Sequence, residues 1–120
     1  MTRAERGAQS YQAGLAAEDI AARNYQAKGG AILARRWRCP AGEIDLIIRM
    51  PDCIVFAEVK HRTGGIEDDP LTPKQWRRLE TAAETYTVRA ETGQRPLRFD
   101  LVVIDGSGKG VIYENARQAD

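Results

Sequence analysis

Residues 42–62 read G-E-I-D-L-I-I-R-M-P-D-C-I-V-F-A-E-V-K-H-R. From residue 43 to 49, charged or mixed side chains alternate with apolar ones, the period of two that marks a strand. Residues 54–60 are rich in β-branched and aromatic types, which suit a pleated surface. Between them lies Met50-Pro51-Asp52-Cys53. Pro51 suits the second position of a type I turn, so the stretch predicts a hairpin.

The turn predicts a register. If Met50 faces Cys53, then Arg49 faces Ile54, Asp45 faces Glu58 and Glu43 faces Lys60. Facing side chains have Cβ atoms roughly 5 Å apart, and like charges there are destabilising. Two unit charges about 4 Å apart repel by roughly 4 kcal/mol at an effective dielectric of about 20. A divalent cation between the acids would turn repulsion into coordination, since Mg²⁺ binds through one or two carboxylates together with substrate phosphates. Lys60 lies two residues beyond Glu58 and so shares its face. A simpler reading stands beside this one. Asp followed by Glu-x-Lys arises readily in a chain with 29% charged residues, and Glu43 opposite Lys60 fits an ordinary cross-strand ion pair. The setting favours the metal site, because both acids sit at matched positions inside otherwise hydrophobic strands.

The whole chain has 120 residues, which fits one domain with a single core. No apolar run is long enough to span a membrane, and the first residues lack the apolar segment of a signal peptide. Cys39 and Cys53 have no metal-ligand spacing and predict reduced thiols, hence a cytoplasmic protein. A formal net charge of +1 gives no general electrostatic case for nucleic acid, so local clustering must supply one.

Residues 1–9 read as a flexible N-terminal tail, residues 10–114 as the domain and residues 115–120 as a C-terminal tail. Ser10 is the expected N-cap of a first helix that stops at Gly29-Gly30. Its apolar stripe is Tyr11, Leu15, Ala22 and Tyr25. Glu18 falls in the middle of that stripe and Ile20 opposite it. A carboxylate facing the core needs a partner, either an arginine such as Arg35 or Arg36 or a metal site. Residues 31–37 read as a strand, with Trp37 packing at an edge, and residues 39–42 as a turn.

After the hairpin, residues 63–71 read as a polar loop, and its acids Glu67, Asp68 and Asp69 as solvated. Thr72-Pro73-Lys74-Gln75 starts a second helix, with Thr72 as N-cap, Pro73 at the first helical position and Gln75 completing a capping box. Trp76, Leu79, Ala83, Tyr86 and Ala90 give its buried stripe. Lys74, Arg77 and Arg78 crowd its first turns. Cations there oppose the helix dipole but suit a phosphate, although each alone also reads as surface charge. Residues 92–96 are a linker, 97–104 a buried strand, 105–110 a turn and 111–114 a closing strand. The glycines of that turn lack a phosphate-loop context. His61 is the only histidine, so no Ser-His-Asp set exists.

The order is α/β: helix, three strands, helix, one or two strands. With G-E-I-D-L-I, then E-V-K-H-R, T-P-K-Q and R-F-D-L-V-V, it resembles the YraN-type family of uncharacterised bacterial proteins. Those are identified as members of the PD-(D/E)-x-K nuclease superfamily, and the arrangement is similar to archaeal-type Holliday junction resolvases. The resemblance runs from about Gly14 to Ile104. It implies a restriction-endonuclease-like domain, a central mixed sheet flanked by helices. It further implies that Asp45 and Glu58 bind Mg²⁺ or Mn²⁺, with the Val59 carbonyl and Glu18 joining the site. Lys60 would position or activate the attacking water. Ile44 stands where the superfamily name has proline, as is usual for this family, and the acidic loop at 63–71 suits DNA less well than a basic one.

The expected activity is metal-dependent endonucleolytic hydrolysis of DNA, with branched or junction DNA among the candidate substrates. Asp45, Glu58 and Lys60 are its expected catalytic residues, and Lys74, Arg77, Arg78 and Arg62 its phosphate contacts. DNA is the expected partner, with no membrane, and a homodimer is left open. The rival reading is a nuclease-like fold that binds nucleic acid or a protein without cutting, or a structural module using the face that carries Ile20.

Overall fold

The structure is a computed structural model describing residues 2–62, 71–90 and 92–117, without the side chain of Ser10. The elements run α1 (Arg3–Ala27), β1 (Ala31–Cys39), β2 (Gly42–Arg49), β3 (Ile54–His61), α2 (Pro73–Ala90), β4 (Leu97–Ile104) and β5 (Gly110–Tyr113). They form a mixed α/β domain whose five-stranded sheet has the order β1-β2-β3-β4-β5. Neighbours are antiparallel except β3 and β4, which are parallel. A parallel pair needs a long crossover, and α2 is that crossover.

The hairpin closes as its turn chemistry predicts. Met50 N–H donates to Cys53 O at 2.9 Å. The pairs Arg49–Ile54, Ile48–Val55, Ile47–Phe56 and Leu46–Ala57 follow. The sheet buries both faces. Ala17, Ala21, Ala22 and Tyr25 of α1 cover Leu46, Ile48, Val55 and Ala57. Trp76, Leu79 and Ala83 of α2 cover Ile44, Ile47, Ile54 and Phe56. Strand β3 lies between both layers, which is why residues 54–57 read as an unbroken apolar run.

Helix α1 begins earlier than expected. Its N-cap is Thr2, whose Oγ1 accepts the Glu5 N–H at 3.1 Å, not Ser10. Residues 3–9, expected as a tail, are helix. The Thr2-x-x-Glu5 spacing is a start signal that the first apolar residue at Tyr11 obscured. The helix then runs past the sheet, so Tyr11 and Leu15 of the expected buried stripe are exposed. Ile20 is half-buried instead of exposed, packed against the α1-side core. The β4–β5 turn covers it, since a Cβ on Gly108 would come 3.6 Å from Ile20 Cδ1.

Helix α2 starts at Pro73 with the expected reciprocal cap. Gln75 N–H donates to Thr72 Oγ1 at 3.1 Å, and Thr72 N–H to Gln75 Oε1 at 2.8 Å. Residues 115–117, expected as tail, are held to the domain. Ala116 N–H donates to Phe99 O, and the Arg117 guanidinium to Glu80. Asn115 N–H also donates to the fully buried Asp100. That carboxylate accepts the Tyr25 hydroxyl at 2.8 Å and both arms of Arg98 at 2.9 Å, joining α1, β4 and the chain end. The expected loop at residues 63–71, with Glu67, Asp68 and Asp69, lies outside the described residues except for Leu71, which is buried under α2.

Candidate functional site

Strand β2 leaves its regular path at Asp45. Ile44 faces the α2 core and Leu46 the α1 core, and the alternation slips between them. The β1–β2 pairing runs Arg35–Leu46 and then Trp37–Ile44, leaving out the facing positions Arg36 and Asp45. Arg36 has φ 50°, a left-handed conformation that disfavours an arginine. Because of it, the adjacent Arg35 and Arg36 both reach α1, where a regular strand would send them to opposite faces. Arg35 pairs with Asp19, and Arg36 Nε donates to Glu18 Oε2 at 2.8 Å. The Arg36 guanidinium also stacks 5.1 Å from the centre of the Tyr11 ring. Such departures re-aim side chains at functional sites.

The side chain re-aimed here is Asp45. Its Oδ2 accepts the Val59 N–H at 2.8 Å, and its carboxyl lies close enough to Glu58 to raise the pKa of that acid. The backbone ladder ends at Leu46–Ala57, one step before the expected Asp45–Glu58 position, and its register points to that position. Both acids hold protons more tightly than usual. Burial is the largest cause in each case. It pushes Asp45 up to about 6, with Glu18 and Glu43 adding to it, while the Val59 N–H and Lys60 oppose. Glu58 is pushed up to about 8 by burial and then by Asp45, with Lys60 again opposing.

Glu58 and Lys60 open into a cleft of about 360 Å³ between the sheet and the start of α2. The β1–β2 turn at Pro40, Ala41 and Gly42 closes one side, and Gln75 and Arg78 close the other. Lys60 makes no ion pair among the described residues. The alternative pairing of Glu43 with Lys60 does not form, because Glu43 is bonded to its β1 neighbour Arg38 at 3.1 Å.

The expected phosphate contacts separate. Arg78 lines the cleft. Lys74 stands one helical turn before it on the same face, whereas Arg77 is turned about 100° away. Arg62 continues the β3–β4 pairing through its N–H to Ile104 O, and its guanidinium bonds the His61 carbonyl outside the cleft. Glu18 lies close enough to raise Asp45 but is bonded to Arg36. The expected pairing of Glu18 with Arg36 forms, whereas Gln75 was passed over for the site and so was the backbone of Arg36. Gln75 read only as a cap, and nothing in the period of β1 marked a left-handed arginine.

Among the described residues, no group of three or more His, Cys, Asp and Glu side chains could hold a metal ion. The Asp45–Glu58 pair is nonetheless the donor set that a hard divalent cation takes when water and phosphate oxygens complete its shell.

A family model for the uncharacterised protein family UPF0102 matches residues 17–104. The chain belongs to UPF0102. It is 42% identical over 115 residues to a UPF0102 protein of Ruegeria pomeroyi, covering 94% of each chain. A UPF0102 protein of Roseobacter denitrificans is 37% identical over 117 residues, 95% of this chain and 90% of that one. One from Pseudomonas putida is 40% identical over 101 residues, 80% and 81% of the two chains. The UPF0102 match takes in Glu18, the Asp45–Glu58 pair, Lys60 and the start of α2, and ends with β4. No described helix is long and apolar enough to cross a membrane.

Proposed function

We propose that this chain is a metal-dependent endonuclease that hydrolyses phosphodiester bonds in DNA. The observation that carries the reading is the proximity of the Asp45 and Glu58 carboxyls, both holding protons unusually tightly, beside Lys60, which makes no ion pair among the described residues. A stability requirement alone would not place two acids against each other in a part-buried strand pair.

Asp45 and Glu58 would hold Mg²⁺ or Mn²⁺, which when bound lowers the pKa of water and neutralises phosphate charge. The Val59 N–H fixes the Asp45 carboxylate, so one oxygen is already oriented before any ligand arrives. Lys60 offsets the negative charge that builds on the reacting phosphate and orients the attacking water. Arg78 and Gln75 line the opposite wall of the cleft, where they would bind the phosphate and set its position without reading sequence. A non-cutting binder would use the same cations but gains nothing from two acids buried close together.

The test is a cleavage panel of linear, flapped and four-way DNA with Mg²⁺ or Mn²⁺. The parent should cut at least one substrate, EDTA should abolish the activity, and Glu58→Gln and Lys60→Ala should each remove it. A folded parent that cuts nothing, like both variants, means that the fold serves binding alone.

A further inference from the structure

The cations of α2 continue beyond the cleft. Lys74, Arg78, Thr81, Thr85 and Arg89 follow one another at spacings of four, three, four and four residues, so they form one stripe along the helix. Thr81 and Thr85 turn their hydroxyl hydrogens inward, donating to the carbonyls of Arg77 and Thr81. The stripe therefore shows small oxygens between its cations and no acid. Both acids of α2, Glu80 and Glu84, lie on the other flank, where Glu80 holds Arg117.

The stripe borders β1. At its far end Arg89 lies 5.8 Å from the centre of the Trp37 ring, and Trp37 meets Tyr86 edge to face at 5.3 Å. A second cavity of about 270 Å³ opens there, lined by Arg49, Arg95, Tyr86 and Leu33 among others, with no acid among its described lining residues. Among the described residues, the exposed Arg49 makes no ion pair and Arg95 bonds only the Met50 carbonyl, at 3.4 Å. A cavity therefore lies at each end of the cationic stripe of α2, with Trp37 and Tyr86 beside its far end.

We propose that this stripe binds the sugar–phosphate backbone of one nucleic-acid strand, leading it from the Glu58–Lys60 cleft to the Arg49–Arg95 cavity. The charge complementarity is local and one-sided, in a chain whose net charge is only +1. From Lys74 to Arg89 the helix rises about 22 Å, the length of roughly six or seven stacked nucleotides. The proposal rests on the nucleic-acid reading of the cleft but not on cleavage.

The test is therefore binding in EDTA, where nothing is cut. Fluorescence anisotropy with a labelled 20-nucleotide strand and the matching duplex, over a salt series, compares the parent with R49A/R89A/R95A. The triple variant should bind both probes at least tenfold more weakly, and its log–log salt slope should be shallower by two to three, about 0.9 for each lost phosphate contact. R49K/R89K/R95K should keep most of the slope, which a folding defect would not. An unchanged slope in the alanine variant overturns the strand path while leaving the hydrolase standing. So does sedimentation showing that the alanine variant only breaks a dimer, which would assign the stripe to a second copy of the chain. A lowered slope in a protein that cuts nothing keeps the strand path and removes the hydrolase.

Discussion

The Val59 N–H donates to Asp45 Oδ2 at 2.8 Å, at the point where the β2–β3 backbone ladder has already ended. A side chain of β2 thus fastens to β3, fixing one oxygen of the Asp45 carboxyl near Glu58. The facing position on β1 is the left-handed Arg36. The site is built by a local break in the sheet, and its consequences can be measured.

The first concerns pH. The folded-state values of Asp45 and Glu58 are raised, Glu58 to about 8. Between the ordinary carboxylate range and that value the folded chain binds more protons than the unfolded one. Stability without metal should then fall as pH rises from about 5 to 8, by up to about 1.4 kcal/mol per pH unit for one proton. Glu58→Gln should flatten the profile, as read by urea unfolding at several pH values. A parent that gains stability across this window contradicts the raised pair.

Arg36 offers a second measurement. Replacing it by Ala leaves Glu18, only 8% exposed, without its bonded partner. The expected loss is about 1–2 kcal/mol. Arg36→Gly removes the same contacts but relieves the left-handed backbone, so it should cost less than Arg36→Ala. The reverse order in denaturant melts would show that φ 50° is not a strain at this position.

Arg77 and Arg78 are neighbours in sequence with different surroundings. Arg78→Ala should weaken DNA binding and lower the salt slope by about one, whereas Arg77→Ala should leave the slope unchanged. Equal effects would mean that α2 binds DNA through general charge alone.

The buried network around Asp100 predicts a purely structural effect. Asp100→Ala removes the acceptor of Tyr25, Arg98 and Asn115 and leaves the part-buried Arg98 with only its 3.6 Å ion pair to the exposed Glu114. It should cost about 3–5 kcal/mol in an unfolding titration. A loss under about 1 kcal/mol would show that water replaces the carboxylate.

Much of this was legible in the sequence for identifiable reasons. Pro51-Asp52 fixed a hairpin length, and the length fixed which residues oppose Asp45. Thr72-Pro73-Lys74-Gln75 declared a helix start through chemistry confined to four residues. The failures came where tertiary context decides. Tyr11 and Leu15 share a helical stripe with Tyr25, but whether the sheet reaches far enough to cover them is not a property of the stripe. Arg36 was an expected partner for Glu18, but no local pattern encodes its left-handed backbone or its contact with Tyr11. The second cavity brings Arg49 and Arg95 together from separate segments, which no single stretch of sequence shows.

The central claim is that Asp45 and Glu58 are opposed in order to bind a divalent cation, and melting curves of the parent and Asp45→Asn test it without any substrate. In EDTA, Asp45→Asn should be at least as stable as the parent near neutral pH, because it removes a charge that burial, Glu18 and Glu43 all disfavour while keeping an oxygen to accept the Val59 N–H. With millimolar Mg²⁺ or Mn²⁺ the order should reverse, since only the parent gains a ligand that binds the folded state. An Asp45→Asn protein that melts well below the parent in EDTA, with metal shifting neither, would contradict the account.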